Sequence, residues 1–131
     1  MIRKINVKTR SRDDWVDLTS VVRETVREEG ANEGVVTIFV PHTTAGITIQ
    51  ENADPPLKSD ITNAFDKVFP WRGGYQHCED NAASHMKTCC MGNSAQVLFE
   101  NGDLILGTWQ NIFLCEFDGP RTRNVLIKIS P

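Results

Sequence analysis

Beyond residue 95 the chain has little freedom in how it can fold. Gln96 to Phe99 and Asp103 to Leu106 flank Asn101-Gly102. An Asn-Gly pair accepts positive φ at both central positions of a two-residue turn, so these segments predict a β-hairpin. Two longer strands follow, Trp109 to Phe117 and Arg123 to Ile129, joined by Asp118-Gly119-Pro120. Successive strands with short connections read as an antiparallel run.

The earlier part of the chain mixes strands with helices. Ile2 to Thr9 alternates Ile5 and Val7 with polar residues and reads as a strand. Trp15, Val16 and Leu18 suggest a short strand or packed connection. Thr19 or Ser20 then caps a helix reaching Glu29, and Gly30 stops it. Val35 to Val40 and Thr44 to Gln50 are strands separated by Pro41, which predicts a turn at a sheet edge. Asp54-Pro55-Pro56 opens a second helix with the stripe Leu57, Ile61, Phe65 and Val68, and Pro70 ends it. Asp80 or Asn81 caps a third helix to about Cys90, with Ala82, Met86 and Cys90 on its apolar face and Cys89 at the border. The order predicts an α+β domain on an antiparallel sheet or sandwich with about three helices.

At 131 residues the chain suits one domain, residues 1–131. A formal net charge of −3 argues against a large nucleic-acid footprint, which needs a basic stripe. No segment approaches the roughly 20 apolar residues of a membrane span. Met1 to Asn6 lacks an apolar signal core, so a cytoplasmic location is expected. There the four cysteines are expected as free thiols, with Cys89-Cys90 serving as small core residues.

The chain has three histidines, and each lies in a polar motif. His42 sits in Val40-Pro41-His42-Thr43-Thr44, where the plain role is to satisfy a local turn. His77, Glu79, Asp80, Asn81 and His85 fall within nine residues. Such a group can shuttle protons, hold Mg2+ through Glu79 and Asp80, or hold a transition metal such as Zn2+ through His77 and His85. The unpaired amides of the same helix start favour an anion. The bland role is capping by Asp80 beside a half-buried His85. On the strand from Trp109, Gln110 and Glu116 project to one face. Trp109, Phe113, Cys115 and Phe117 project to the other, a core face that would leave Cys115 inert. Asp118 and Arg121 flank a turn, where Arg121 can close a salt bridge or take a phosphate.

Read together, these motifs resemble a known family. Val40-Pro41-His42-Thr43-Thr44-Ala45-Gly46, Asn52-Ala53-Asp54-Pro55, His77-Cys78-Glu79-Asp80-Asn81-Ala82, Ser84-His85-Met86-Lys87, Leu106-Gly107-Thr108-Trp109-Gln110 and Asp118-Gly119-Pro120-Arg121 are similar to the YjbQ-like proteins. These are also described as secondary thiamine-phosphate synthase enzymes. The resemblance runs through nearly the whole chain. It implies a jelly-roll-like antiparallel β-sandwich, a homotrimer, and weak synthesis of thiamine phosphate from hydroxymethylpyrimidine diphosphate and thiazole phosphate. The family often has glycine where Asp80 stands.

On that reading His42, His77 and His85 are the catalytic candidates. Asn81, Arg121 and Gln110 are candidates for holding a phosphorylated small molecule. Glu79 and Asp80 would hold Mg2+, with Zn2+ on His77 and His85 as the other option. Two further functions fit the same residues. One is metal-dependent hydrolysis of a small phosphorylated metabolite. The other is a non-enzymatic trimeric module that captures a metal or anion.

Overall fold

The computed structural model describes residues 1–77 and 79–131. Among these residues, eight strands form two antiparallel sheets, with three helices. The strands are β1 (Ile2–Lys8), β2 (Asp14–Asp17), β3 (Glu33–Phe39), β4 (Ala45–Glu51), β5 (Ser94–Glu100), β6 (Asp103–Leu104), β7 (Gln110–Glu116) and β8 (Thr122–Ser130). The helices are α1 (Thr19–Glu29), α2 (Pro55–Val68) and α3 (Ala82–Met91). One sheet runs β1-β8-β3-β5-β6 and the other β2-β7-β4. The architecture is the expected antiparallel β-sandwich with a few helices.

The main core lies between the sheets. Val36 and Ile38 of β3, Ile47 of β4, Ile112 and Leu114 of β7, and Val125 and Ile127 of β8 are buried there. Alternation along each strand sends every second side chain inward. Val22 and Val26, one helical turn apart on α1, close one end of this core. The hairpin forms as expected. Phe99 pairs with Leu104 and Glu100 with Asp103, while Asn101 and Gly102 adopt φ of 54° and 72°. Among the described residues, no helix is long and apolar enough to cross a membrane.

The other face of β7 carries a second, smaller cluster. Phe113, Cys115 and Phe117 are buried against Trp15, Phe65 and Met91. Phe65 comes from α2 and Met91 from α3, so both helices cover this face. Burial pushes the Cys115 thiol well above the usual range, consistent with an inert core cysteine.

Several local expectations are corrected. Pro41 to Thr44 crosses between sheets, since β3 pairs with β5 and β8 whereas β4 pairs with β7. Leu18 occupies the N-cap position of α1, and Asp17 Oδ1 accepts the Thr19 N–H at 2.9 Å. The Thr19 hydroxyl is occupied elsewhere, accepting the Ile112 N–H at 2.9 Å. Asp54 stands at the N-cap of α2 and Asn81 at that of α3, yet neither side chain makes a capping bond.

The buried side of α3 holds Ala83, Ser84, Lys87 and Thr88, which leaves Cys89 and Cys90 exposed. Cys89, Cys90 and Cys115 are free thiols, and Cys78 lies outside the described residues. Trp109 precedes β7 and is also exposed, rather than part of the core face.

Candidate functional site

The site forms where α3 begins and the β7–β8 turn passes beneath it. Asp118 joins the two elements. Its Oδ2 accepts Asn81 Nδ2 at 2.7 Å and an Arg121 guanidinium nitrogen at 3.0 Å. Arg121 Nε also donates to the Asp118 carbonyl, at 2.7 Å. One turn into α3, Ser84 Oγ donates to the Phe117 carbonyl at 2.5 Å. The first turn of the helix is thereby fixed to the end of β7.

Against this frame the imidazoles of His77 and His85 meet edge to face, with ring centroids 4.8 Å apart. His85 lies four residues beyond Asn81, on the same helical face. Two polar atoms in this region are buried and, among the described residues, have no hydrogen-bond partner: His85 Nε2 and Asn81 Oδ1. Such a group costs roughly 1–3 kcal/mol while unpaired, so folded chains seldom keep one without a use. A ligand that donates to Asn81 and bonds to His85 would recover that cost.

Asp118 is itself positioned from below. Its N–H donates to Glu116 Oε2 at 3.0 Å. Glu116 is fully buried and receives both Nε and a terminal nitrogen of Arg123. Thr9 Oγ1 donates to the same carboxylate at 2.8 Å, and Arg123 also donates to Thr44 Oγ1 at 2.8 Å. Burial alone would raise the Glu116 carboxyl. The Arg123 side chain, the Asp118 N–H and the Thr9 hydroxyl outweigh it and hold the group below the usual carboxylate range.

His42 belongs to this lower layer. Its Nε2 accepts the Asn124 N–H at 2.8 Å, a bond that only the unprotonated nitrogen can make. Burial, then the nearby Arg123 charge, lowers its pKa. Gln110 starts β7, six residues before Glu116, which places it about 20 Å away along the strand. Its Oε1 accepts the Gly107 N–H at 2.8 Å. The structure thus brings together His77, His85, Asn81 and Arg121, and places His42 and Gln110 elsewhere.

Glu79 and Asp80 are exposed beside His77. Among the described residues, no three His, Cys, Asp or Glu side chains converge as a ready metal cage. Among those residues His77 and His85 have no third ligand of these types. Two neighbouring carboxylates do suit Mg2+ that arrives with a substrate's phosphates, because that ion keeps several waters and needs few protein ligands.

Sequence reasoning missed Lys87, which is 1 % exposed. Its Nζ donates to Asp66 of α2 at 2.5 Å, lies 3.7 Å from Asp13, and sits above the Phe117 ring. The available signal was its spacing. Lys87 follows Ala83 by four residues and Ser84 by three, so it shares their buried face. The joining of Arg123 to Glu116 and Thr44 was not legible either, because it arises only from the register between strands.

The fold and site define an antiparallel β-sandwich with a polar pocket built at a helix start. Residues 3–131 match the family model described as UPF0047 protein YjbQ-like, and the chain belongs to that family. It is 50% identical over 130 residues to UPF0047 protein YugU of Bacillus subtilis, covering 98% of both chains. A UPF0047 protein of Archaeoglobus fulgidus is 39% identical, over 95% of this chain and 98% of its own. The crystal structure of a YjbQ/UPF0047 protein from Clostridium acetobutylicum superposes with a TM-score of 0.96 at 49% identity, covering 98% of this chain and 99% of that one.

Proposed function

We propose that the chain is a small-metabolite enzyme that binds a phosphorylated substrate at the start of α3. Its reaction would join hydroxymethylpyrimidine diphosphate to thiazole phosphate and release diphosphate. The observation that carries the reading is the buried Nε2 of His85, unpaired among the described residues and set beside His77 and Asn81. In this reaction the bond from the pyrimidine methylene carbon to diphosphate oxygen breaks, and the thiazole nitrogen bonds to that carbon. No protein nucleophile is needed. The site must neutralise the leaving group and hold two reactants together.

His85 would donate a hydrogen bond or proton to the departing diphosphate, with His77 as its neighbour in the same role. Arg121 is half exposed at the rim and would bind phosphate oxygens with the N–H groups that Asp118 leaves free. Glu79 or Asp80 would hold Mg2+ on the diphosphate, directly or through water, where it would offset charge on the leaving group. The reading extends to a homotrimer with His42 at a subunit boundary. The exposed Phe39, Leu98, Ile105 and Trp109 support association.

The deciding experiment is thiamine phosphate formation by the purified protein with Mg2+, beside a His85→Ala variant of confirmed fold. The expected result is activity that falls at least about 100-fold in the variant. No activity, or equal traces in both, would remove the synthase reading. Product released from the diphosphate without a thiazole acceptor would mark a hydrolase instead. Ligand-induced stabilisation without turnover would mark a binding module.

A further inference from the structure

The segment between α2 and α3 walls a cleft of about 480 Å³ that opens onto His77. Trp71, Arg72 and Tyr75 form one side, and His77, Asp80 and Ala82 bring in the start of α3. None of the loop residues 71–75 has a role in the chemistry above. Even so, the loop is held in a defined shape. The Arg12 guanidinium stacks on Trp71, 4.7 Å from its ring centroid. Tyr75 Oη donates to the Pro70 carbonyl at 2.8 Å, which closes the loop on itself. The Tyr75 ring lies so close over Gly73 that a Cβ there would sit 2.4 Å from a ring carbon. Only glycine lets that ring settle where it does.

The lining combines two aromatic rings, a guanidinium and a carboxylate. Arg72 appears in no salt bridge among the described residues. Aromatic faces bind planar rings, a guanidinium binds phosphate, and Asp80 can accept from a ring amino group. We infer that the 71–77 loop is the specificity element of this enzyme: it takes the planar, amino-bearing heterocycle of a phosphorylated substrate between Trp71 and Tyr75, pairs its phosphate with Arg72, and leaves the reacting end at His77 and His85. The inference rests on the function proposed above for that same pocket, and it assigns the ring to residues outside the acid–base set.

The test is calorimetric titration of the purified protein with thiamine phosphate and, separately, with inorganic diphosphate. Trp71→Leu, Tyr75→Leu, Arg72→Gln and Gly73→Ala variants are compared, with circular dichroism and melting as fold controls. Losing one stacked ring is expected to weaken thiamine phosphate binding about tenfold while diphosphate binding is unchanged. Arg72→Gln should weaken both ligands. Gly73→Ala should match Tyr75→Leu, because the new methyl displaces the ring without removing it.

Wild-type affinity for thiamine phosphate in both aromatic variants would overturn the inference, as would a wild type that binds diphosphate but not thiamine phosphate. Activity assays separate the two ideas. Ring-dependent binding without turnover would keep this loop's role and sink the synthase reaction. Turnover indifferent to Trp71 and Tyr75 would do the reverse.

Discussion

Two polar clusters lie on either side of the Glu116–Asp118 step, and they differ in how completely their atoms are paired. Below it, both oxygens of Glu116 are bonded, and Arg123, Thr9 and Thr44 share the remaining groups. Above it, Asn81 and His85 each keep one buried atom without a partner among the described residues. The lower cluster therefore has little left to offer a ligand, whereas the upper one has what a ligand needs. A saturated buried network fixes the geometry, and an unsaturated one on top of it carries out recognition.

The sharpest way to break this comparison is to remove one partner of the buried pair. Arg123→Met leaves Glu116 charged and enclosed, and should cost about 3–5 kcal/mol in urea unfolding. Replacing Glu116 and Arg123 together with apolar residues should cost much less. If the single and double variants lose equal stability, the pair is not acting as a unit. Acid adds a second reading. The Glu116 carboxyl is depressed in the folded chain, so its contribution is complete above the unfolded value of about 4.3 and fades as pH falls through the folded value. Glu116→Gln should flatten that part of the acid-unfolding curve.

Lys87→Met tests a middle case. It leaves Asp66 and Asp13 without their cation but adds apolar contact at Phe117, so a loss of about 2 kcal/mol is expected. A larger thermal shift than that of Arg123→Met would reverse the ranking of the two buried cations. Asn81→Ala should cost only about 1 kcal/mol, the net worth of its one bond to Asp118, while reducing ligand affinity or turnover much more. Equal losses of stability and function would place Asn81 with the lower cluster.

The smallest effect concerns His42. Its folded pKa lies below the usual value of about 6.5, so it favours folding as the neutral ring. That contribution is complete above about 6.5 and is lost as pH falls through the folded value. His42→Gln keeps an acceptor for the Asn124 N–H and should melt with less pH dependence between 5 and 7, roughly the span in which His titrates. A variant as pH-sensitive as the wild type would move the effect to another group.

Much of this architecture could be read from local patterns. Asn101-Gly102 predicted its hairpin, Asp54-Pro55-Pro56 predicted the start of α2, and Gly30 the end of α1, because each acts through its own backbone. Pairing between distant segments could not be read that way. Nothing near Pro41 reveals that the chain changes sheets there, since that depends on β7 lying beside β4. The burial of Lys87 could not be read because its partners are Asp66, 21 positions back, and Asp13, further still. Cys89 and Cys90 looked buried because their apolarity was judged without the direction of α3. Of the site, His77, Asn81 and His85 were visible as a cluster, since a single segment carries all of them. The orphaned atoms were not, because lacking a partner is a property of the packed structure.

The strand order has a consequence for how this chain reaches its native state. β8 is the last strand described, yet it lies between β1 and β3 and, among the described residues, supplies the only partner of β1. Ile2 pairs with Lys128, so that contact closes a loop of nearly the entire chain. Until β8 has left the ribosome, β1 has no neighbour and β3 has only β5. Folding should therefore wait until β8 has been made and be slow for its size, as expected where pairing is mostly non-local. Arg123, which anchors the layer beneath the site, arrives on that same final strand. The pocket can take its shape only in the last step of folding.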